Sequence, residues 1–143
     1  MKVKDCMCND IKYVSPESTI KDCAKLMSTN HIGCIPVCDT NKKVVGLVTD
    51  RDIILRSIAC DKDVTNTPVS DIMTCGVCCC ECDVEITEAE KLMSQNQIRR
   101  LPVVDKDNNI VGMLSLGDLA KNQNCNTEDT LENICCTNTK NAE

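Results

Sequence analysis

Apolar and polar positions along the chain follow two different periods, and both periods occur twice. One apolar stripe at helical spacing lies within residues 20–27, and a second lies within residues 86–93. This spacing predicts an amphipathic helix in each segment. Ser18 or Thr19 is the predicted N-cap of the first helix, and Asp83 is that of the second. The stripes consist of Ile20, Cys23, Ala24 and Met27, and of Ile86, Ala89 and Met93.

Each predicted helix lies between a short extended segment and two further strands. Clusters of Asp, Asn and Lys separate the apolar runs of each strand pair, which is typical of a hairpin loop. A second helix follows each hairpin, so the order is β-α-β-β-α, twice. The predicted extended segments are Lys12–Val14, Cys34–Cys38 and Val44–Val48, then Cys78–Cys80, Leu101–Val104 and Ile110–Leu114, and the closing helices are Asp50–Ala59 and Leu116–Asn122.

The two halves are copies of one unit. Ile35-Pro36-Val37 returns as Leu101-Pro102-Val103, 66 residues later, and no gap is needed to align the rest. A half of about 60 residues buries little core by itself, so the halves are expected to fold together. We predict an α+β (mixed α/β) fold with repeat 1 at residues 2–60, a linker at 61–68 and repeat 2 at 69–122. The polar tail at 123–143 either frays or forms one short helix through Leu131, Ile134 and Cys135.

Composition narrows the class of function. The net charge of −6 and pI near 4.8 argue against binding to nucleic acid or to anionic membranes, which requires a basic face. Tyr13 is the only aromatic residue, so stacking platforms for single-stranded nucleic acid are missing. No apolar run has the length of a transmembrane span, and the start of the chain lacks a signal-peptide pattern. We therefore expect a cytoplasmic protein whose fourteen cysteines are free thiols.

One motif in each half ends a strand and begins a helix. Thr49-x-x-Asp52 recurs as Ser115-x-x-Asp118. The pattern is close to a capping box, with Asp in place of Glu, and could serve helix capping alone. The same groups could also bind a nucleotide, because a hydroxyl can donate to phosphate and a carboxylate can accept from a ribose diol. Recurrence of the motif after the same strand pair favours the binding hypothesis.

With these motifs the chain resembles a CBS-domain pair, the regulatory module named after cystathionine β-synthase. The resemblance covers about residues 2–122 and leaves only the tail unmatched. It rests on His31–Val37, Val45–Ile53, Val69–Thr74, Ile98–Asp105 and Ile110–Asp118.

The resemblance implies that the two repeats pack through their sheets with pseudo-twofold symmetry. It also implies two clefts that bind AMP, ADP, ATP or S-adenosylmethionine, each cleft drawing on both repeats, and a homodimer. It implies no catalytic cofactor. Position by position, Asp52 and Asp118 would bind the ribose, Thr49 and Ser115 the phosphates, and Ile32, Ile98, Ile11, Lys12, Val77 and Cys78 the adenine. Arg99 and Arg100 are predicted to neutralise phosphate, because guanidinium groups pair with it in a bidentate way.

Cys75–Cys82 departs from the family pattern and leaves a further possibility open. Its two C-x-x-C spacings suit a thiolate metal or redox site, yet alternation along an extended segment would send neighbouring thiols to opposite faces. Vicinal Cys135-Cys136 raises the same question. A single histidine and the absence of P-loop, H-E-x-x-H and G-x-S-x-G motifs argue against an enzyme. The competing hypotheses are a nucleotide sensor, a structural dimerisation module with vacant clefts, and a thiol-based sensor.

Overall fold

The computed structural model describes residues 1–121 together with Thr130 and Ile134. The chain divides into two compact units. We call Lys12–Val77 the first unit, and Met1–Ile11 with Cys78–Glu143 the second unit. Helices and small sheets occur in both, as the predicted α+β class requires.

The first unit contains helix α1 (Ile20–Asn30), strands β1 (Cys34–Cys38) and β2 (Val44–Thr49), and helix α2 (Asp50–Arg56). β1 and β2 form an antiparallel hairpin, to which Val14 adds a parallel bridge with Val37. Apolar faces of the helices and hairpin bury one core, which explains the helical stripe seen in the sequence. The core comprises Val14, Ile20, Cys23, Met27, Ile35, Val37, Val48, Ile53, Val69 and Ile72.

The second unit repeats this arrangement with a slightly larger sheet. It contains strand β3 (Cys80–Glu81), helix α3 (Ile86–Asn96), strands β4 (Arg100–Val104) and β5 (Ile110–Ser115), and helix α4 (Leu116–Ala120). β3 runs parallel to β4, and β4 pairs antiparallel with β5. The core comprises Val3, Cys80, Ile86, Ala89, Met93, Leu101, Val103, Leu114, Leu119 and Ile134.

The leading segments of the two sequence repeats are exchanged between the units. The Val3 N–H donates to the Val84 carbonyl at 3.0 Å, and the Val69 N–H donates to the Ser18 carbonyl at 2.7 Å. The two bonds follow the same repeat offset of 66 residues, so the exchange is reciprocal. Consequently each compact unit combines the start of one repeat with the remainder of the other.

The beginnings of the two long helices differ. Thr19 caps α1, its hydroxyl accepting from the Asp22 N–H at 3.1 Å, whereas α3 begins after Glu85 without a side-chain cap. The predicted Asp83 cap is therefore wrong. Asp83 instead accepts from Lys4 Nζ at 3.0 Å, because the exchanged amino-terminal segment brings Lys4 to it. This hydrogen bond lowers the pKa of Asp83 and raises the pKa of Lys4.

The closing helices are shorter than the sequence suggested. α2 ends at Arg56 and is followed by a separate 3₁₀ turn at Ile58–Cys60, while α4 ends at Ala120. Segment 61–68 packs with the first unit, since the Lys21 N–H donates to the Val64 carbonyl at 2.9 Å. In the tail, Ile134 is buried, and Leu131 and Cys135 of the predicted short helix lie outside the described residues. Of the helices in the described part of the chain, none is long and apolar enough to cross a membrane.

Candidate functional site

Each unit has a junction at which the last strand of its hairpin passes directly into a helix. β2 ends at Thr49 and α2 begins with the next residue, and β5 likewise ends at Ser115 before α4. Both hydroxyl residues keep the extended backbone of the strand while capping the helix. An N-cap residue needs an extended backbone and a side-chain oxygen that accepts a hydrogen bond, and both Thr and Ser meet these two requirements. We call these two places the first and second junctions.

Both junctions contain a complete capping box. At the first junction the Thr49 hydroxyl accepts from the Asp52 N–H, and Asp52 Oδ2 accepts from the Thr49 N–H, both at 3.0 Å. At the second, the corresponding distances between Ser115 and Asp118 are 3.1 and 2.9 Å. Each aspartate therefore uses one carboxylate oxygen to hold the junction, which leaves the other oxygen for a different partner.

The second carboxylate oxygen is what distinguishes the junctions. Asp52 Oδ1 lies 3.7 Å from Arg56 Nε, and the Asp52 side chain is only 14% exposed. Arg56 is held in turn by the Ile72 carbonyl at 3.1 Å and the Thr74 hydroxyl at 3.3 Å, both of which accept from its Nη1. Within residues 1–121, Asp118 is partly buried and has no such ion pair. Residue 122, which corresponds to Arg56, is Asn.

The neighbouring strand brings further predicted residues to each junction. The Leu116 N–H donates to the Arg99 carbonyl at 2.8 Å, and Arg100 pairs with Ser115 across the sheet. The backbone of Arg99 and Arg100 therefore lies beside Ser115 and Leu116, at the start of the helix that carries Asp118, with Ile98 directly preceding it in the chain; both arginines are exposed. The second junction thus combines a partly buried carboxylate with a neighbouring strand end that carries two exposed arginines.

The first junction has the same backbone but no matching positive charges. The Asp50 N–H donates to the Gly33 carbonyl at 3.0 Å, and Cys34 pairs with Thr49. Ile32 therefore occupies the place that Ile98 has in the second unit, while Gly33 and Cys34 replace the two arginines. The two junctions are equivalent in backbone and differ in electrostatics.

The remaining predicted adenine contacts lie at the two points along the chain where one unit ends and the other begins. Ile11 and Cys78 belong to the second unit, and Lys12 and Val77 to the first. All four are partly buried. Cys78 Sγ lies 3.6 Å from Asn96 Nδ2, which places it at the end of α3. Their contact with adenine stays a prediction.

The Cys75–Cys82 segment does not form a metal-binding cluster in the part of the chain that the structure describes. No three His, Cys, Asp or Glu side chains converge among those residues. Cys80 is buried in β3, whereas Cys75 is exposed, so neighbouring thiols face different surroundings. Burial raises the pKa of Cys80 to about 12, and burial also raises the pKa of Cys79. Both thiols are therefore protonated and weakly nucleophilic at neutral pH. Cys135 and Cys136 lie outside the described residues.

Sequence reasoning missed Arg56. Its spacing of four residues from Asp52 was a usable signal, since side chains at i and i+4 meet on a helix. Its anchors at Ile72 and Thr74 could not be anticipated, because they depend on the exchanged segment. A groove of about 430 Å³ beside Tyr13 was also missed. None of the predicted site residues lines this groove.

Comparison with known proteins identifies the family. Residues 3–58 and 69–124 each match the CBS domain family. The chain therefore belongs to the CBS-domain family, which confirms the resemblance. It is 44% identical over 124 residues to the CBS domain-containing protein YhcV of Bacillus subtilis (strain 168), covering 87% of this chain and 86% of YhcV.

Two similar solved structures contain adenine-based ligands. The structure of CBSX2 in complex with AMP is 26% identical, with a TM-score of 0.72 over 84% of this chain and 93% of CBSX2. The CBS domain pair of MJ0100, in complex with 5-methylthioadenosine and S-adenosyl-L-methionine, is also 26% identical. Its TM-score is 0.74 over 85% of this chain and 94% of that one. Both of these similar proteins therefore bind ligands that contain adenosine.

Proposed function

We propose that this protein is a non-catalytic regulatory module that binds an adenine nucleotide. The observation that carries the proposal is the second junction, where the strand end with the exposed Arg99 and Arg100 pairs with the start of the helix that carries Asp118. A carboxylate that accepts from a ribose and a guanidinium that pairs with phosphate are the two groups that a nucleotide requires. The ligands of CBSX2 and MJ0100 support an adenine base. AMP, ADP, ATP and S-adenosylmethionine are the candidate ligands.

The roles within the second junction follow from chemistry. Asp118 Oδ2 already accepts the Ser115 N–H, so the other oxygen would accept from the ribose hydroxyls. Ser115 would donate its hydroxyl hydrogen to phosphate while its oxygen continues to cap α4. Partly buried Ile98 offers an apolar surface to the adenine ring. Thr49, Asp52 and Ile32 would act likewise at the first junction, with Ile11, Lys12, Val77 and Cys78 as further adenine contacts.

Thermal melting of reduced, metal-free protein tests the proposal. A ligand at a hundred times its dissociation constant stabilises the folded state by about 2.7 kcal/mol. We expect a rise of several degrees with at least one adenine ligand and none with GTP. Asp118→Asn should remove most of the shift, because Asn preserves the cap but loses the charge that strengthens a bond to ribose.

The matched control is Asp107→Asn in the exposed β4–β5 loop, which removes the same charge away from the junction. It should leave the shift unchanged. If none of AMP, ADP, ATP and S-adenosylmethionine raises the melting temperature, the protein is not a nucleotide sensor. The structural dimerisation hypothesis would then lead.

We further propose that the protein signals as a homodimer. Ile54, Leu55 and Ile58 are 55%, 48% and 61% exposed on α2 and the turn after it. Adjacent exposed apolar side chains are characteristic of an interaction surface. The residues 66 positions later are Ala120, Lys121 and Asn124, so the patch belongs to the first unit alone. A second copy can cover the patch by presenting the same surface.

Sedimentation equilibrium tests the dimer. Ile58→Asp should raise the dimer dissociation constant at least tenfold, because burying one such side chain contributes about 1.5–3 kcal/mol. Lys62→Asp, nearby but polar, serves as the control and should have a smaller effect. A wild-type protein that remains monomeric at high concentration would refute the proposal.

A further inference from the structure

The side chain of Arg56 links the first junction to the segment that follows the linker. Its guanidinium lies 3.7 Å from the Asp52 carboxylate and donates to the Ile72 carbonyl at 3.1 Å and the Thr74 hydroxyl at 3.3 Å. Arg56 is the last residue of α2, so the helix itself positions it one turn beyond Asp52. All of these groups lie within the first unit.

We propose that Arg56 is a specificity-determining residue that lowers the nucleotide affinity of the first junction and so makes the two junctions unequal. The inference rests on the proposed function, and it names which junction binds the ligand more tightly. It concerns a residue outside the predicted site, because no sequence motif places Arg56 in a binding role.

The two aspartates differ in the surroundings of their carboxylate oxygens. At the first junction one oxygen of Asp52 accepts the Thr49 N–H and the other faces Arg56. A ribose hydroxyl that donates to Asp52 Oδ1 would share that oxygen with a guanidinium that already neutralises part of its charge, which weakens the new hydrogen bond. At the second junction the capping oxygen of Asp118 is engaged in the same way, and among residues 1–121 the Asp118 carboxylate forms no ion pair within 4 Å.

The strength of the competition depends on how Arg56 is held. An exposed i,i+4 ion pair contributes little by itself and would be displaced easily. Arg56 also makes two hydrogen bonds with its charged guanidinium, and bonds to charged groups are stronger than neutral ones. Moving Arg56 away from Asp52 strains or breaks these bonds as well. We therefore expect at least a tenfold difference in affinity, which converts to 1.4 kcal/mol.

A purely structural role for Arg56 leads to a different expectation. A cation at the end of a helix interacts favourably with the helix dipole, and the bond to Ile72 satisfies a backbone carbonyl. If that were its whole contribution, its removal would lower stability and leave ligand affinity unchanged. Binding stoichiometry and its dependence on Asp52 separate the two roles, because stability alone does not alter either.

Isothermal titration calorimetry with AMP tests the proposal in the full-length protein. Wild type should show one strong binding event per chain, which Asp118→Asn removes. Arg56→Gln should add a second event, or strengthen a weak one at least tenfold, and Asp52→Asn in that background should abolish the gain. Lys25→Gln, which removes an exposed positive charge on α1 away from the Thr49–Asp52 motif, is the control and should leave the wild-type pattern unchanged.

A second variant guards against loss of folding in Arg56→Gln. Thr74→Val removes one anchor of the guanidinium and preserves side-chain shape, so a smaller gain at the first junction is expected. Two equally strong events in wild type would overturn the inference and leave the proposed function intact. So would a folded Arg56→Gln protein with the wild-type pattern. If AMP, and then ADP, ATP and S-adenosylmethionine titrated in the same way, all fail to bind wild type and every variant, both the inference and the proposed function are overturned.

Discussion

Replacing Ile72 with alanine should destabilise the first unit by about 2–5 kcal/mol, the usual loss when a fully buried large aliphatic side chain is truncated. Ile72 is 1% exposed and lies in the core of the first unit with Ile20 and Ile35. Its place in the sequence is nevertheless in the second repeat. The expected location of the damage therefore tests the exchange of leading segments directly.

Urea unfolding measures the size of the loss, and amide chemical shifts locate it. Shift changes for Ile72→Ala should concentrate at residues 12–77, in α1 and the β1–β2 hairpin. The reciprocal variant, Val3→Ala, should perturb α3 and the β3–β5 sheet instead, because Val3 is buried in the core of the second unit. Lys25→Ala, at an exposed position on α1, provides the control and should cost little. Perturbation by Ile72→Ala centred on α3 would contradict the exchange.

The sequence predicted the local elements of this fold better than the grouping of those elements. Helical spacing located α1 and α3, because the buried faces that create the stripe are formed within each segment. Both hairpins were equally predictable, because in each one two apolar runs flank a polar loop. The exchange of residues 1–11 and 69–77 could not be read from either repeat. It depends on long-range backbone bonds, such as the one from Val3 to Val84, that local patterns do not encode.

The incorrect prediction of an Asp83 N-cap for α3 has the same cause, which is a contact with a segment distant in the sequence. Asp83 has the residue type that caps helices, and its spacing from Ile86 was acceptable. Lys4 arrives from a distant part of the chain and pairs with Asp83, and α3 begins at Ile86 without a side-chain cap. A tertiary contact thus replaced a local one.

In the candidate site, too, the features formed within a short segment were predictable and those formed by distant segments were not. The capping boxes of Thr49–Asp52 and Ser115–Asp118 were predictable, because each forms within four consecutive residues. The proximity of Arg99 to Ser115 needed only the hairpin register, which the repeat made visible. The pairing of Arg56 with Asp52 was also within reach of the i, i+4 spacing, but its anchors at Ile72 and Thr74 depend on the exchanged segment. The repeat therefore encodes the similarity of the junctions, and substitutions within it, such as Gly33 and Cys34 for the two arginines, encode their differences. Only the anchoring of Arg56 depends on tertiary contacts.

Gly112→Ala is expected to destabilise the second unit by about 1–3 kcal/mol, the usual cost of overpacking a well-packed site. A Cβ at this position would lie 2.6 Å from Met7 Sδ and 2.9 Å from the Cys8 carbonyl oxygen. Met7 can rotate, but the backbone of Cys8 is fixed. Its N–H donates to the Met113 carbonyl at 2.9 Å, and its carbonyl accepts from the Met113 N–H at 3.0 Å. Relief of the clash must stretch this bridge, which attaches the exchanged amino-terminal segment to β5.

Gly117→Ala is the matched control for the same chemical change. The nearest atom to its added Cβ is Ser115 Oγ at 3.6 Å, an ordinary contact, and Gly117 lies inside α4. Alanine within a helix is favoured over glycine by about 0.5–1 kcal/mol, so this variant should be neutral or more stable. Denaturant unfolding of the two variants beside wild type gives the comparison. If Gly112→Ala proves as stable as Gly117→Ala, the amino-terminal segment does not pack against β5 as the structure has it, and the exchange of leading segments would have to be abandoned for the second unit.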